Sequence, residues 1–371
     1  MAIEFVLYTP EWEPAVARFN RRMTEARAPA DFGISERAGP PRQGPVHTAQ
    51  YLAVEGEEVR GGVLLLEHPA YLNNARQPGG SARRETVINI QSPLSEGIIN
   101  GKYAMVSIQL IRFALKRCRY VYVVGMGSET NPLPKLLKAS GWNVRPVPFF
   151  FRILRAGRCL RELQPLRRKP ALRLTALAAA WTGAGAIGLR MAQWPKVSAA
   201  GLRTVAATAA DASDDAVWQE AEKRICFGVV RNSSTLPGYL AKQVMRYRVY
   251  QGDLPLGWFS LLVSPMHAHP YFGNLTVATL VDVVAVRPSD AGSFGLLAAE
   301  RARAGGADLV VSNQLQAETQ KGLRAAGFLS YGSNYLFASS KELSAAVEDA
   351  TAMVSRQDGD GLTNLLPRPA N

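Results

Sequence analysis

Cysteine and histidine are scarce in this 371-residue chain, at three and four. The cysteines, Cys118, Cys159 and Cys226, lie far apart, with no CxxC pair and an odd count. That excludes a disulfide framework and fits a reducing, cytoplasmic compartment. Long apolar runs are missing too. The longest uncharged stretch, residues 174–189 (LTALAAAWTGAGAIGL), falls short of the roughly 20 residues a helix needs to cross a bilayer. Gly183, Gly185 and Gly188 weaken it further as a helix. The first residues, MAIEFVLYTPEWEP, hold Glu4 and no apolar run, so no secretory leader is expected there. The motifs of several large enzyme classes are absent: no Walker A, G-x-G-x-x-G, G-x-S-x-G or H-E-x-x-H occurs.

What is present describes a folded protein. Hydrophobic residues make up 47% and charged residues 20%, a balance that excludes wholesale disorder. The length suggests two or three domains. Lys+Arg number 43 against 30 Asp+Glu, a net charge of +13. Only ten of the cations are Lys. Two readings of this basic excess stay open. One is an Arg- and Ala-rich composition without functional meaning. The other is attraction to nucleic acid, a phosphorylated cofactor or an anionic membrane surface. Seven cations against one anion fall in residues 155–173, just before the apolar stretch. That stretch reads either as a buried helix or as a helix resting on a membrane surface beside basic residues.

An internal repeat organises the rest. Residues 51–69 (YLAVEGEEVRGGVLLLEHP) and 247–265 (YRVYQGDLPLGWFSLLVSP) share six identities at one offset: Tyr51/Tyr247, Gly56/Gly252, Gly61/Gly257, Leu65/Leu261, Leu66/Leu262 and Pro69/Pro265. Each copy reads as two strands joined by a short Gly-centred turn, a β-hairpin. A further strand follows in each, at 86–90 before Pro93 and at 280–286 before Pro288. Then come a polar loop, a helix (104–117 and about 293–304) and a buried strand (120–124 and 309–311). A short helix ends each copy in Gly141-Trp142 or Gly327-Phe328, with Gly where a helix C-terminus favours it. A last strand is expected at about 147–154 and 334–338 to close each copy. Helices also precede the copies, at 10–26 and 214–224. Strands alternating with helices imply a mixed sheet covered by helices. The expected division is 1–154, a basic and apolar connector 155–200, a second copy 201–342, and a helix with a loose tail 343–371. The tail begins at about Gln357.

This order of elements resembles the GNAT (acyl-CoA N-acyltransferase) fold, present in tandem: an α/β protein of two GNAT-like domains, each a mixed sheet flanked by helices. The resemblance rests on the Gly-turn hairpins, the strands ending in Pro93 and Pro288, and the terminal pieces Asn131…Gly141-Trp142 and Asn313…Gly327-Phe328. The runs SPLSEGII (92–99), GMG (125–127) and PLPKLLKASGW (132–142) make the first copy similar to GNAT-like proteins of bacterial polysaccharide assembly. Tandem GNAT folds also resemble the Fem-type aminoacyl-tRNA-dependent transferases.

The resemblance implies transfer of an acyl group from acyl-CoA or acetyl-CoA, as substrate and without a metal, to an amine, with a sugar or nucleotide-sugar as one candidate carrier. Two alternatives stay open. One is a Fem-like transferase using tRNA. The other is a non-catalytic protein peripheral to the inner membrane in polysaccharide assembly. In the first reading the loop after Pro93 holds a diphosphate at a helix N-terminus. Ser95, Gly97, Gly101 and Lys102 are its candidate cofactor-binding residues. Gly125 and Gly127 are candidates to line the acyl channel, Asn131 to hydrogen-bond the cofactor or simply to cap a helix, and Gln91 to face the cleft as a further cofactor-binding candidate. Glu96 is the candidate base, or a charge favourable to the helix dipole. Tyr103 is the candidate acid, or a packing aromatic. The loop departs from the usual family spacing, and Glu96 would repel a diphosphate unless turned away. The second copy's loop, 287–293, is about nine residues shorter. Its Asp282, inside the apolar run 280–286, is either paired or catalytic, because an unpartnered buried carboxylate is costly. Asn89 alternates with Gln91 and shares its face. Arg117 and Arg119 flank Cys118 and could lower its pKa, but no His partner is evident and a structural cysteine is the expected reading. His267 and His269 lack a third ligand and read as a solvated loop.

Overall fold

The hairpin glycines set the first elements. The computed structural model describes residues 2–29, 32–73, 82–167, 184–239, 243–347 and 351–359. In it Gly56 and Gly252 have φ of 61° and 58°, a region costly for other residues. Each opens a two-residue turn, closed by the pairs Glu55↔Glu58 and Gln251↔Leu254. Both copies of the repeat therefore fold as the expected hairpins.

The strands, in chain order, begin with β1 (Glu4–Leu7), β2 (His47–Glu55), β3 (Glu58–Asn73), β4 (Ala82–Ser95), β5 (Val121–Val124) and β6 (Asn143–Pro146). The next are β7 (Phe149–Ile153), β8 (Leu202–Ala207), β9 (Phe227–Val229), β10 (Met245–Gln251) and β11 (Leu254–Pro265). Last come β12 (Thr276–Ala285), β13 (Leu309–Asn313), β14 (Leu329–Tyr331) and β15 (Leu336–Ser339). The chain divides into two units, residues 1–145 with 336–347, and 146–335 with 348–371. The first unit's sheet runs β1-β2-β3-β4-β5-β15-β6. The second runs β14-β7-β13-β12-β11-β10-β8. Each is mixed: β4 and β5 are parallel, as are β12 and β13, amid antiparallel neighbours.

One expectation is corrected. The last strand of each copy does not close its own sheet. Strand β7 pairs with β13 and β14 in the second unit, and β15 pairs with β5 in the first. The local cause in the first copy is Pro146-Val147-Pro148. Proline holds itself and the residue before it extended, so the chain runs on from β6 instead of turning back. The two crossing segments meet where the Val147 N–H donates to the Tyr335 carbonyl at 2.8 Å.

Helices cover the sheets through periodic apolar faces. In the first unit Val106, Leu110, Ile111 and Ala114 of the helix Val106–Arg117 pack on Val63, Leu65, Ile88 and Ile90. The helix Glu13–Glu25 buries Val16, Phe19 and Met23 against Leu52, Val54 and Val59. In the second unit Phe294, Leu297 and Ala298 of the helix Ala291–Ala304 meet Phe259, Leu261, Leu280 and Val310. The glycines closing the terminal helices, Gly141 and Gly327, have φ of 81° and 78°, as the helix-stop reading requires.

The tail is also corrected at its start. Gln357 and Asp358 are buried within a turn of 3₁₀ helix, Arg356–Asp358, because Asp358 is ion-paired inside the second unit. The remainder, 360–371, lies outside the described residues, as do 168–183 of the basic and apolar connector. Among the described residues no helix is long and apolar enough to cross a membrane.

Candidate functional site

Each unit forks at the C-terminal end of its parallel strand pair. In the first, β4 and β5 pair only at Ile88↔Val121 and Asn89↔Tyr122. Beyond that point β5 pairs with β15 while β4 continues to Ser95. A bulge bends β4: its register against β3 jumps between Gly62↔Leu94 and Leu64↔Gln91, and Ser92 has φ of 45°. In the second unit a register shift leaves Val281 as the extra residue, and β12 and β13 part after Leu280↔Ser312. Such forks are where open α/β sheets receive ligands.

The first unit's loop after β4 is tied to itself. Ser95 Oγ accepts the Gly97 N–H at 3.0 Å and donates to the Tyr103 carbonyl at 3.1 Å. The Ile99 and Asn100 N–H groups donate to the Glu96 carbonyl. The Lys102 N–H donates to Asn100 Oδ1, that of Tyr103 to the Asn100 carbonyl, and that of Ala104 to the Gly101 carbonyl. Six loop N–H groups are thus used within the loop. Gly97 sits against backbone, where a Cβ would lie 2.6 Å from Ala104 Cα. Its small size serves this internal packing. Gly101 is open, with nothing within 4 Å of a Cβ built on it.

The charged side chains here form one network. Buried Glu96 accepts from Arg22 Nη2 at 3.0 Å and from Arg60 Nη1 at 3.2 Å. The Tyr103 hydroxyl donates to Glu55 Oε2 at 2.7 Å, and Arg60 also pairs with Glu55 at 3.2 Å. The Arg60 guanidinium carbon lies 4.4 Å from the centre of the Tyr103 ring. The Tyr103 hydrogen bond, then Lys102 and Arg60, hold the Glu55 carboxyl below its ordinary range. Tyr103 and Glu55 in turn raise the Lys102 ammonium. Burial lowers the Arg60 guanidinium, but Glu96, Tyr103 and Glu55 together outweigh this and raise it overall. Glu96, Tyr103, Ser95, Gly97 and Lys102 are brought together as expected from sequence. The sequence reading missed Arg22, Arg60 and Glu55, which the two hairpin strands and the helix Glu13–Glu25 supply.

The other candidates form separate groups. Asn131 Nδ2 donates to the Met126 carbonyl at 3.2 Å and lies against Gly127, whose φ is 78°. Gly125, with φ of 99°, donates to the Leu336 carbonyl at 2.9 Å. Gln91 is half-buried on β4, two residues from buried Asn89. Also missed was a buried polar pair on this sheet: the Tyr122 hydroxyl lies 3.0 Å from His68 Nε2. Tyr122 is opposite Asn89 at the fork itself. Its signal was a histidine and a tyrosine inside otherwise apolar strands. Burial raises the Cys118 thiol, outweighing Arg119, as suits a structural rather than a reactive cysteine. His269 Nδ1 accepts the N–H groups of Tyr271 and Phe272 and shapes its loop.

The second unit's fork is filled by its own chain. The Leu315 N–H donates to the Val354 carbonyl at 2.9 Å, and Gln314 bridges Ser355. Across the fork, Ser355 Oγ donates to Asp282 Oδ1 at 2.9 Å. Arg231 Nε donates to Asp282 Oδ2 at 2.8 Å, and Arg231 Nη2 to Asp358 Oδ2 at 2.8 Å. Asp282 is therefore paired in the core. The following helix start is covered as well: Ser293 Oγ donates to the Ser198 carbonyl at 2.8 Å, and Val197 packs on Gly292.

No family model matches the chain, and no curated protein resembles it in sequence. Solved structures do resemble it. The N-myristoyltransferase of Saccharomyces cerevisiae with bound myristoyl-CoA has a TM-score of 0.50 at 10% identity, over 91% of this chain and 78% of that one. A GCN5-related N-acetyltransferase from Anabaena variabilis has 0.47 at 11% identity, over 91% and 72%. A tandem GNAT protein from the clavulanic acid biosynthesis pathway has 0.46 at 14%, over 91% and 98%. At these identities the likeness concerns fold. The chain is an α/β protein with two mixed sheets flanked by helices, similar in fold to that N-myristoyltransferase.

Proposed function

We propose that the first unit is the centre of an acyl-CoA-dependent N-acyltransferase acting on an amine, carried by a sugar or nucleotide-sugar. The observation that carries this reading is the β4/β5 fork, with Asn89 and Tyr122 as its last paired residues and His68 bonded to Tyr122. The second unit serves as scaffold, since its own residues 354–358 bridge the equivalent fork.

The first unit suits the acyl arm better than it suits a backbone phosphate nest. Six loop N–H groups are already bonded within the loop. What the loop offers a diphosphate is the exposed Lys102 ammonium and the open position at Gly101. Gln91 shares the Asn89 face of β4 and borders the arm.

In acyl transfer a C–N bond forms, the thioester C–S bond breaks, and a proton passes from nitrogen to sulfur. A base and an acid are needed. The His68–Tyr122 pair suits this relay: the neutral imidazole accepts the amine proton and the phenol supplies one to the thiolate. Glu96 is a weaker base candidate, since both its partners are guanidinium groups already bonded to it.

The test is calorimetric titration with acetyl-CoA and a long-chain acyl-CoA, followed by thiol release with amino-sugar acceptors. Wild type is expected to bind, and Tyr122→Phe to bind while losing roughly 10²-fold or more in turnover. No binding of either thioester would sink the reading.

A further inference from the structure

A surface helix normally turns its apolar side inward and its polar side to water. The helix Ala184–Ala192 of the second unit does otherwise. Its inward positions are Gly185, Leu189 and, just past its end, Gln193, which is buried. The opposite face carries Ile187, Met191 and Trp194, exposed at 65%, 73% and 67%. Spacings of four and three residues put these three side chains in one stripe, since the Gln193 and Trp194 N–H groups continue the helical bonding to Leu189 and Met191. Three large apolar groups lined up in water are a docking surface in need of a partner.

The charge around the stripe says which partner. Arg190 and Lys196 flank it and are exposed, as are Arg161 and Arg167. Arg155 and Arg158 belong to the same basic run but are engaged by buried Asp308, at 3.6 and 3.3 Å. Among the described residues Arg161, Arg167, Arg190 and Lys196 have no ion-pair partner. Three more cations, Arg168, Lys169 and Arg173, follow in the sequence. A protein partner would need its own acidic, apolar groove. A bilayer with anionic headgroups offers both features at once: Trp and aliphatic side chains sink to the acyl boundary while Arg and Lys meet phosphate. We infer that this stripe docks the protein on an anionic lipid surface, by shallow insertion of Ile187, Met191 and Trp194.

The test is flotation of the full chain with vesicles of phosphatidylcholine alone or with added phosphatidylglycerol. The comparison is wild type against Ile187→Ser/Met191→Ser/Trp194→Ser, with thermal melting as the folding control. These side chains are exposed, so the triple variant is expected to melt as wild type does. Wild type should float with the anionic vesicles and at least tenfold less with the neutral ones, and added salt should weaken it. The triple variant should stay in solution. A second variant, Arg161→Glu/Arg190→Glu, should lose the preference for anionic vesicles. Wild type remaining in solution with anionic vesicles overturns the inference. So does equal flotation of the triple variant, or a wild-type dimer in sedimentation that the triple variant abolishes.

Discussion

Arg231 donates to Asp282 at 2.8 Å with neither side chain exposed to solvent. Its other side meets Asp358, equally enclosed, so one guanidinium faces two carboxylates. Burial raises the Asp358 carboxyl, and Asp282 adds to this while Arg231 opposes it. Asp358 therefore holds a proton more readily than an ordinary aspartate.

A graded response to substitution is expected from that arrangement. Asp282→Leu leaves Arg231 with one carboxylate instead of two and should cost about 3–5 kcal/mol. Asp358→Asn resembles the protonated acid and should cost much less. The sign with pH follows from the raised value: the folded state takes up a proton before the unfolded one, whose ordinary value is 3.8. This group's contribution should grow as pH falls from the raised value towards 3.8, then stay level. Urea unfolding at several pH values, for wild type and Asp358→Asn, measures it. A variant curve parallel to wild type would show that Asp358 does not titrate in this way.

At Glu55 the sign reverses. Tyr103 holds its carboxyl low, so the stabilisation is present above the unfolded value and is lost as pH falls through the folded one. Tyr103→Phe removes the hydroxyl and keeps the ring beneath Arg60. Carboxyl titration by NMR should show Glu55 moving up in this variant. No movement would mean that the hydroxyl is not its main partner.

These sites differ in how far sequence could reveal them. The hairpins were legible because Gly56 and Gly252 sit at matching places in two copies, and a turn is a local event. The strand exchange was not. Phe149–Ile153 and Leu336–Ser339 are short apolar strands that could pair at either β5 or β13, and only the whole fold selects. Asp282 was legible as a buried acid. Its partner, Arg231, lies 51 residues away, and the second acid is a further 127 residues from Arg231, in what reads as a loose tail. His68 and Tyr122 stood in apolar strands of different elements, and their meeting depends on sheet register.

The two loop glycines should respond oppositely to alanine. A methyl at Gly97 would lie 2.6 Å from Ala104 Cα and 2.7 Å from the Tyr103 carbonyl, both backbone. Gly97→Ala is expected to cost about 1–3 kcal/mol by overpacking. Gly101→Ala meets nothing within 4 Å and should leave unfolding unchanged. If Gly101 admits a diphosphate, its variant should weaken acyl-CoA binding at unchanged stability. Melting curves paired with calorimetry separate the two effects.

Glu96 gives the sharpest contrast between support and chemistry. It joins the helix Glu13–Glu25, through Arg22, to β3, through Arg60, beneath the loop that follows β4. Glu96→Gln keeps the shape and removes the charge, leaving two guanidiniums with a weaker acceptor. Hydrogen bonds to charged groups are worth about 1.5–3 kcal/mol, and a loss within that range is expected in the first unit's unfolding. As a positioning residue, Glu96 should affect acyl transfer through the loop. Its variant should lower kcat/KM modestly and leave the shape of the pH–rate profile as in wild type. A base would behave otherwise, since its removal takes away the acidic limb of that profile along with most of the rate. The pH–rate profile of Glu96→Gln, set beside that of His68→Gln, decides which residue takes the proton. A lost acidic limb in the Glu96 variant and a retained one in the His68 variant would exchange their roles.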